Sequence, residues 1–394
     1  MSLHSIPSVL TPTSFPWWYH KKDLLLKIAK REGTPLHVYD RKTIQDLSTM
    51  VKSTLKSVDR FHYAMKANNN PTILKLIRSQ GIGFDTVSIG EIYNLFQNID
   101  DIKANEILFT PNFVSRNDLE KAFQLGVNVT LDNKYMLEHW GSSLKNQKVW
   151  LRIDTDNPQG HHEFVQTAGK DSKFGIPIPE FKESLKLARE AGLKIVGLHA
   201  HVGSGVDKEK TWAKTLQTLS DLAELNPDIR TIDLGGGLKV KEDPIEGKEF
   251  DLRLVEKALH DTKKKMNPNI KVVMEPGRIF VASSGIMIGR VNQLKSKLDH
   301  HYVGIDVSMS HFLRPALYKA THQIVNLSKL ESNHNSKSIV VGNVCETGDI
   351  LNKSAMLPEN TEEGDYLLMA ATGAYGKSMS SRYNLLQRAK EIFI

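Results

Sequence analysis

Short apolar segments alternate with longer amphipathic segments from about residue 60 to about residue 281. The short segments are rich in β-branched and aromatic residues and suit strands, whereas the amphipathic segments suit helices. The eight predicted strands are His62–Met65, Phe84–Val87, Ile107–Thr110, Val127–Leu131, Val149–Ile153, Ile195–Val202, Thr231–Leu234 and Val272–Glu275. Helices predicted between them include Pro71–Ser79, Arg116–Leu125, Pro179–Ala191 and Leu252–Lys265.

Residues typical of helix starts and helix ends support the predicted alternation of strands and helices. Asp118 and Asp251 stand near predicted helix starts, and Gly81, Gly126 and Gly192 stand near predicted ends. Eight strands that alternate with helices over ~220 residues predict an α/β fold of the (β/α)8, TIM-like barrel type. An open, doubly wound sheet is the alternative, because the pattern alone does not prove that the sheet closes.

The pattern changes after about residue 284, where predicted strands are joined by turn-rich links with little helix between them. These strands are Ile286–Leu294, His301–Val307, Gln323–Leu327, Ser338–Val344 and Asp365–Ala370. They predict a C-terminal β-domain of sandwich or barrel type. Near the N-terminus, Leu36–Tyr39 is a further short strand whose partner the pattern does not assign.

Composition and charge narrow the class of protein. With 40% hydrophobic and 25% charged residues, the chain is expected to be a soluble globular protein. No apolar stretch approaches the ~20 residues that cross a bilayer, and residues 1–20, with three prolines, do not resemble a signal peptide. The net charge of +7 is dispersed, and the run Lys263–Lys265 is interpreted as a helix terminus rather than a nucleic-acid surface. A single cysteine permits no intrachain disulfide, which fits the cytoplasm.

Lys66 follows the first predicted strand, in the segment Phe61–Asn68. The carboxyl ends of barrel strands hold the active site, and a buried amine loses its proton more easily, as attack on an aldehyde requires. The alternative is an ordinary lysine whose stem packs against the protein while its ammonium reaches water.

Strands seven and eight end in further candidate residues. Three glycines, Gly235–Gly237, follow strand seven, where barrels often bind phosphate; a tight turn is the alternative. They match neither a dinucleotide fingerprint nor a P-loop.

Glu275 and Arg278 follow strand eight, where a carboxylate could keep a heterocyclic nitrogen protonated and an arginine could bind phosphate or carboxylate. A structural ion pair between the two is the alternative.

Two histidines, His199 and His201, lie two residues apart on one face of strand six. Such a pair suggests a metal site of a barrel hydrolase, which would need more ligands from other strand ends; the loop pair His161–His162 is a poor candidate. Alternatively, His201 could lie flat against an aromatic cofactor, with Ser204 donating to a phosphate. For His199 we favour a hydrogen-bonded histidine of the barrel.

The β-domain has its own candidates. Cys345 is followed by Glu346 and Asp349 in a predicted loop and is interpreted as a reactive proton donor or acceptor; a small buried hydrophobe is the usual role of a lone cysteine. Arg314 and Tyr318 are expected in a non-helical context, with a surface loop as the alternative.

Together these segments resemble the fold-type III pyridoxal-phosphate-dependent decarboxylases. Nine motifs occur in the family's order between about residues 36 and 384: YAMKAN, GFDTVSIGE, SKFGI, LHAHVGSG, DLGGG, MEPGR, LRPALY, CETGD and GAY. Each alone is weak, but nine in register are specific. The resemblance implies a barrel at residues 41–283 and a β-domain at residues 284–394 that residues 1–40 join.

The resemblance also implies the site. Pyridoxal 5'-phosphate would be bound covalently to Lys66, with His201 stacked on the ring and Glu275 paired with its nitrogen. The positions implied around the phosphate are Ser204, Gly236, Gly237, Gly277, the backbone around Arg278, and Tyr375. The implied substrate-binding positions are Arg278, Arg314, Tyr318, Glu346 and Tyr375. Cys345 matches a cysteine that reaches into the neighbouring subunit's site, so a homodimer with shared active sites is expected, and no metal.

The activity implied is decarboxylation of meso-2,6-diaminopimelate to L-lysine, the last step of lysine biosynthesis, with Lys66 or Cys345 returning a proton to Cα. Arg278 and Arg314 indicate a second carboxylate on the substrate, whereas ornithine or lysine would need an acidic partner. Three segments depart from the family pattern, Asp306–His311, Gly160–Gly169 and Thr130–Asn133, and they leave the choice among diamino acids open. The alternatives are a related decarboxylase, a metal-dependent hydrolase using His199 and His201, and a non-catalytic binding protein.

Overall fold

The computed structural model describes residues 16–157, 159, 167–169, 171–240 and 250–394. They form two compact units, one containing the described residues between 45 and 280 and the other containing residues 16–44 and 281–394. Every helix in this part of the chain is too short or too polar to span a bilayer.

The first unit is a closed barrel of eight parallel strands. With strands numbered in chain order, these are β2 (Arg60–Ala64), β3 (Gly83–Thr86), β4 (Ile107–Phe109), β5 (Asn128–Leu131), β6 (Lys148–Asp154), β8 (Lys194–His199), β9 (Thr231–Asp233) and β10 (Lys271–Met274). Each strand pairs with the next, and β10 pairs with β2 to complete the ring. The short β7 (Ile176–Pro177) extends the sheet beside β6. The closed-barrel prediction is therefore confirmed, and the open sheet is excluded.

The barrel interior has an apolar layer and a polar layer. Leu108, Trp150 and Val273 form a buried cluster from three strands. Gly197 faces Trp150, and a Cβ atom at this glycine would lie 2.6 Å from the indole ring. Because side chains alternate between the two faces of a strand, Asp85, Asp233 and Glu275 point into the same interior nearer the carboxyl ends. The fold thus places buried charges directly beyond a packed apolar layer.

Four helices have predicted ranges, and each lies within two residues of an observed helix at both ends. The described residues contain twelve α-helices in all. They are α1 (Trp17–His20), α2 (Lys22–Glu32), α3 (Arg41–Thr54), α4 (Pro71–Ser79), α5 (Ile89–Asn98), α6 (Arg116–Gln124), α7 (Lys134–Trp140), α8 (Phe181–Glu190), α9 (Thr211–Ala223), α10 (Leu252–Lys263), α11 (Arg278–Val281) and α12 (Arg314–Tyr318). Asp251 caps α10, as its position suggested, whereas Ser115 rather than Asp118 caps α6. Gly81, Gly126 and Gly192 follow helices with positive φ, where glycine avoids a Cβ clash.

The second unit is a mixed sheet of eight strands. These are β1 (Leu36–Tyr39), β11 (Gly285–Lys297), β12 (His300–Ile305), β13 (Ile324–Asn326), β14 (Ser336–Val341), β15 (Ile350–Leu357), β16 (Tyr366–Met369) and β17 (Lys390–Phe393). The partners of β1, which the pattern did not assign, are β11 and β17. The prediction missed β15 and β17 altogether.

Both faces of this sheet are covered by apolar side chains. Met287 and Met369 belong to one buried cluster, whereas Ile286, Ile288 and Leu368 belong to another. Consecutive residues of β11 and β16 therefore alternate between the two clusters, as the two-residue period of a strand requires. This explains why β11 and β16 are central to the unit.

Packing in the barrel interior makes Gly197 intolerant of a side chain. We expect Gly197→Ala to destabilise the protein by about 1–3 kcal/mol, because the added methyl group overpacks the layer around Trp150. Gly90→Ala, at an exposed position of α5 with only an ordinary contact nearby, is the matched control. Urea unfolding followed by tryptophan fluorescence measures both; equal midpoints for the two variants would contradict this packing.

Candidate active site

Lys66 lies in a one-turn helix, Met65–Ala67, directly after the first barrel strand. Its Nζ atom is 2.7 Å from Oδ2 of Asp85, which is fully buried, while 36% of the lysine side chain is exposed. The position at the strand end is as predicted. The side chain is only partly buried, and the partner of its amine is a carboxylate. The Oδ1 atom of Asp85 accepts from Thr110 at 2.5 Å, which fixes the carboxylate in place.

Glu275 follows the eighth barrel strand and is almost completely buried. Its Oε2 atom is 3.1 Å from Nε2 of His199. Since a carboxylate accepts, this imidazole nitrogen donates, and His199 is the hydrogen-bonded barrel histidine that we favoured. The other oxygen, Oε1, is buried and accepts from no N–H or hydroxyl group of the described residues, while the neighbouring Asp233 carboxyl group hydrogen-bonds to Glu275 when it carries a proton. An ionised carboxylate in this position is suited to accept from an N–H of a bound ring.

Asp233 and Glu275 hold one negative charge between them. Burial raises the pKa of Glu275, but the electrostatic attraction and hydrogen bond of His199, together with the positive charge of Lys66, outweigh burial and lower it to about 2. Burial and the charge of Glu275 raise the pKa of Asp233 well above its ordinary value. Of the two groups, Asp233 is therefore the one that takes up a proton more easily, and Glu275 is the one that keeps its charge.

The three glycines after strand seven lie against His201 and strand eight. The N–H of Gly236 donates to Nδ1 of His201 at 3.0 Å. A Cβ atom at Gly236 would lie 2.3 Å from the carbonyl oxygen of Glu275, and one at Gly237 would lie 2.2 Å from that of Gly203. Close backbone approach thus requires glycine at both positions. This arrangement is a compact backbone turn of the kind that accommodates phosphate.

His201 has an uncharged imidazole. Burial, followed by the positive charges of Lys66 and Arg152, lowers its pKa well below the ordinary value. Its Nδ1 atom already accepts the hydrogen bond from the glycine turn. A neutral ring held from one edge leaves its flat faces for an aromatic group.

Arg278 contacts Ser204, which lies three residues after His201 in the sequence. Its Nη2 atom donates to Oγ of Ser204 at 3.0 Å. Glu275 pairs with His199 instead, so the alternative of a Glu275–Arg278 ion pair is wrong. Gly277, beside Arg278, packs against the first strand, since a Cβ there would lie 2.9 Å from the carbonyl oxygen of Ala64.

Sequence reasoning missed three charged residues of the barrel interior. Asp85 and Asp233 occupy strand positions within otherwise apolar runs, and Arg152 is buried with its guanidinium 4.3 Å from the centre of the Phe174 ring. The signal was available, because a charged residue inside a fully buried strand can point only into the barrel or against a helix.

Within the β unit, Arg314 is fully buried and begins a short helix, α12, that also contains Tyr318. The expectation of a non-helical context, with a surface loop as the alternative, was wrong. Pro315, at a position where its missing N–H costs nothing, helps to start this helix.

Cys345 is exposed, in a turn-rich segment, and is not a small buried hydrophobe. Its two acidic neighbours are engaged elsewhere: Glu346 accepts from the Tyr383 hydroxyl at 2.5 Å, and Asp349 accepts from the backbone N–H groups of Met309 and Val344. Tyr375 has a φ of 56°, which places its backbone in the left-handed region.

Of the described residues, His199, Asp233 and Glu275 could form a metal-binding group, with ligand atoms within 4.8 Å of one another. His201, which the hydrolase hypothesis needed, is not part of this group. His161 and His162 lie outside the described residues.

Comparisons with known proteins agree with this geometry. The family described as pyridoxal-dependent decarboxylase, pyridoxal binding domain, matches residues 41–282. Diaminopimelate decarboxylase of Escherichia coli K12 is 32% identical over 382 positions, covering 91% of this chain and 88% of that protein. The enzyme of the same name from Methanothermobacter thermautotrophicus is 31% identical, with 94% and 88% covered.

Solved structures show the same similarity. The crystal structure of Helicobacter pylori diaminopimelate decarboxylase in complex with L-lysine has a TM-score of 0.86 and 30% identity, covering 94% of each chain. A lysine/ornithine decarboxylase from Vibrio vulnificus, at 19% identity and a TM-score of 0.83, shares the fold.

The single charge of the carboxyl pair leads to a spectroscopic prediction. Near neutral pH, the infrared difference spectrum between the protein and its Asp233→Asn variant should contain a protonated-carboxyl band. Asp251→Asn is the matched control, since Asp251, outside the barrel interior at the start of α10, has a lowered pKa and is ionised at this pH. A difference spectrum that contains only carboxylate bands would mean that Asp233 carries the charge.

Proposed function

Because this chain belongs to the pyridoxal-dependent decarboxylases, we propose that it removes one carboxylate of meso-2,6-diaminopimelate as CO2 and releases L-lysine. It is a carboxy-lyase of the diaminopimelate decarboxylase type. Its relatives of that name match the chain over about nine-tenths of its length at 31–33% identity. A small diamino acid is therefore the substrate class.

One observation supports this reaction above the others. A lysine amine on the first barrel strand and a buried, ionised glutamate on the eighth open into the same end of one barrel, because the two strands are neighbours in the closed ring. Decarboxylation of an amino acid needs both groups: an amine to bind an aldehyde cofactor, and a negative charge to hold its ring nitrogen protonated. A metal hydrolase could use the glutamate as a ligand but would have no use for an aldehyde-binding amine.

Pyridoxal 5'-phosphate is the cofactor that the residues fit. The buried carboxylate of Glu275 is suited to the ring nitrogen, the face of His201 to the ring, and the amine of Lys66 to the aldehyde. The tight glycine turn, where no Cβ fits, is suited to a phosphate. The residues proposed around that phosphate are Ser204, Gly236, Gly237, Gly277, Arg278 and Tyr375.

When bound, the cofactor accepts the electron pair left behind when the carboxylate departs as CO2. The chain sustains this by keeping Glu275 negative: His199 donates to Oε2, and the raised pKa of Asp233 makes that neighbour the easier carboxyl group to protonate. His201 stays neutral, so it adds no positive charge over the ring. Asp85 pairs with the Lys66 ammonium and would hold this amine in place when it is released from the cofactor.

Proton return completes the reaction. Lys66, once its amine is free, is one proposed donor to the carbon that has lost CO2. Cys345 is the other, in a homodimer whose sites are shared. Its exposure within its own unit is consistent with contact to a partner subunit.

Substrate selection is proposed to depend on cationic and hydroxyl groups. Arg278, Arg314, Tyr318, Glu346 and Tyr375 match the family's substrate-binding positions. Guanidinium groups bind carboxylates in a bidentate manner, so Arg314 is suited to the carboxylate that the substrate keeps. Glu346 is suited to an ammonium group of the diamino acid.

The wider organisation stays a proposal as well. We propose domains at residues 1–40 with 284–394 and at residues 41–283, a homodimer, and a cytoplasmic location, without nucleic-acid or membrane partners. A single cysteine is consistent with a reducing compartment.

The proposed substrate is tested by incubating the purified protein, loaded with pyridoxal 5'-phosphate, with each of four amino acids. We expect CO2 from meso-diaminopimelate and at least about a hundredfold less from lysine, ornithine or arginine, since the site must leave an unpaired cation when the second carboxylate is missing. Release of CO2 from ornithine or lysine but not from diaminopimelate would make the chain a related decarboxylase instead.

The same CO2-release assay tests whether Lys66 is required for turnover, with Lys75 as the control. Lys66→Ala should lose nearly all turnover, whereas Lys75→Ala, on helix α4, should retain it. Full activity in Lys66→Ala would refute the role of this amine.

A further inference from the structure

His322 is a fully buried histidine with a partner at each ring nitrogen. Its Nδ1 atom is 2.9 Å from the carbonyl oxygen of Ala370, and its Nε2 atom is 2.9 Å from Nη1 of Arg314. His322 lies two residues before β13, and Ala370 directly follows β16. The ring therefore connects the end of a strand pair to the guanidinium of Arg314.

These two contacts determine where the imidazole proton lies. A backbone carbonyl can only accept, so Nδ1 of His322 must donate. A guanidinium can only donate, so Nε2 must accept from Arg314 through its lone pair. Both conditions hold only for the neutral imidazole with its hydrogen on Nδ1. In a doubly protonated ring, the N–H group at Nε2 would face the N–H group of Arg314, and two donors would stand against each other.

The surrounding sheet holds this histidine in place. Asn352, on β15, donates to the carbonyl oxygen of His322 at 3.0 Å. The Phe312 ring stands edge-on to the imidazole, with centroids 4.7 Å apart and an interplanar angle of 77°. Ile324 pairs with Met369 in the adjoining ladder, next to the two bonded residues. His322 is thus fixed by three strands.

We infer that His322 is a positioning residue that orients the guanidinium of Arg314 toward the carboxylate that the substrate keeps, an inference that rests on the function proposed above. Arg314 belongs to a helix of only five residues, which by itself constrains a long side chain little. The fixed imidazole supplies that constraint.

The choice of a neutral acceptor has a consequence for specificity. An aspartate or glutamate at position 322 would also orient Arg314, but its negative charge would compete with the substrate carboxylate for the guanidinium. An uncharged imidazole fixes the direction of the side chain and leaves its charge for the substrate. His322 therefore contributes to selection of a diamino acid with a second carboxylate.

The test compares two ligands that differ in one carboxylate. L-Lysine keeps the carboxylate assigned to Arg314, whereas cadaverine has none. Calorimetric binding to the protein loaded with pyridoxal 5'-phosphate is measured for His322→Asn, whose amide is too short to reach Arg314, and for His322→Gln, whose amide oxygen can replace Nε2 as the acceptor. His300→Asn, at an exposed histidine of the same unit, is the control.

We expect His322→Asn to weaken L-lysine binding by about tenfold or more, as for loss of one charge-assisted contact, with His322→Gln recovering most of it. Cadaverine binding should stay unchanged in both variants. Equal losses for the two ligands, or unchanged L-lysine binding in His322→Asn, would overturn the positioning role.

A second measurement does not depend on the variants folding. Nitrogen-15 NMR of the unaltered protein should show His322 as the tautomer protonated at Nδ1; any other protonation state would overturn the assignment. Failure of the proposed function is distinguishable, because it appears as missing CO2 release from diaminopimelate, whereas neither the tautomer nor the ligand comparison depends on turnover.

Discussion

A negative charge on Glu275, inside a closed barrel, is the feature on which the chemistry of this protein depends. Removing an ionised carboxylate from water costs several kcal/mol, so a lone glutamate at this depth would take up a proton. Here the hydrogen bond from His199 and the nearby Lys66 reverse that tendency. Asp233 gives up its own charge in turn, since two adjacent buried carboxylates cannot both stay ionised. The result is one fixed negative charge on a carboxylate inside the barrel.

Barrel geometry is what brings these groups together from distant parts of the sequence. His199, Asp233 and Glu275 come from three successive strands and face the interior because side chains alternate along each strand. The apolar layer of Leu108, Trp150 and Val273 lies in the same interior and supports them. A slip of one residue in any of these strands would turn the carboxyl or imidazole group outward. The register that packs the core therefore also sets the electrostatics of the site.

Sequence reasoning predicted the regular parts of this fold well. All eight barrel strands were located within a few residues, because parallel buried strands are nearly continuous apolar runs. The strand Ile350–Leu357 was missed because half of its residues are polar or small, and Lys390–Phe393 because four residues give too little pattern. The helix at Arg314 is only five residues long, and its N-terminal proline was not recognised as a helix start.

The sequence predicted those site residues that belong to a recognisable motif. It did not predict the contacts that form only when the folded chain brings distant residues together. Lys66, His201 and Glu275 were found from their motifs, and their proposed roles agree with the geometry described for each. The proton of Asp233, the pairing of Lys66 with Asp85 and the orientation of Arg314 by His322 depend on atoms brought close by the fold. A sequence contains no distances, so it could not indicate that two neighbouring carboxyl groups share a charge.

The most direct test of this account is nitrogen-15 NMR of the protein reconstituted with pyridoxal 5'-phosphate labelled at the ring nitrogen. The account predicts a protonated ring nitrogen at neutral pH that loses its proton in Glu275→Gln. An unprotonated ring nitrogen in the unaltered protein would show that Glu275 does not supply the charge on which the proposed reaction depends.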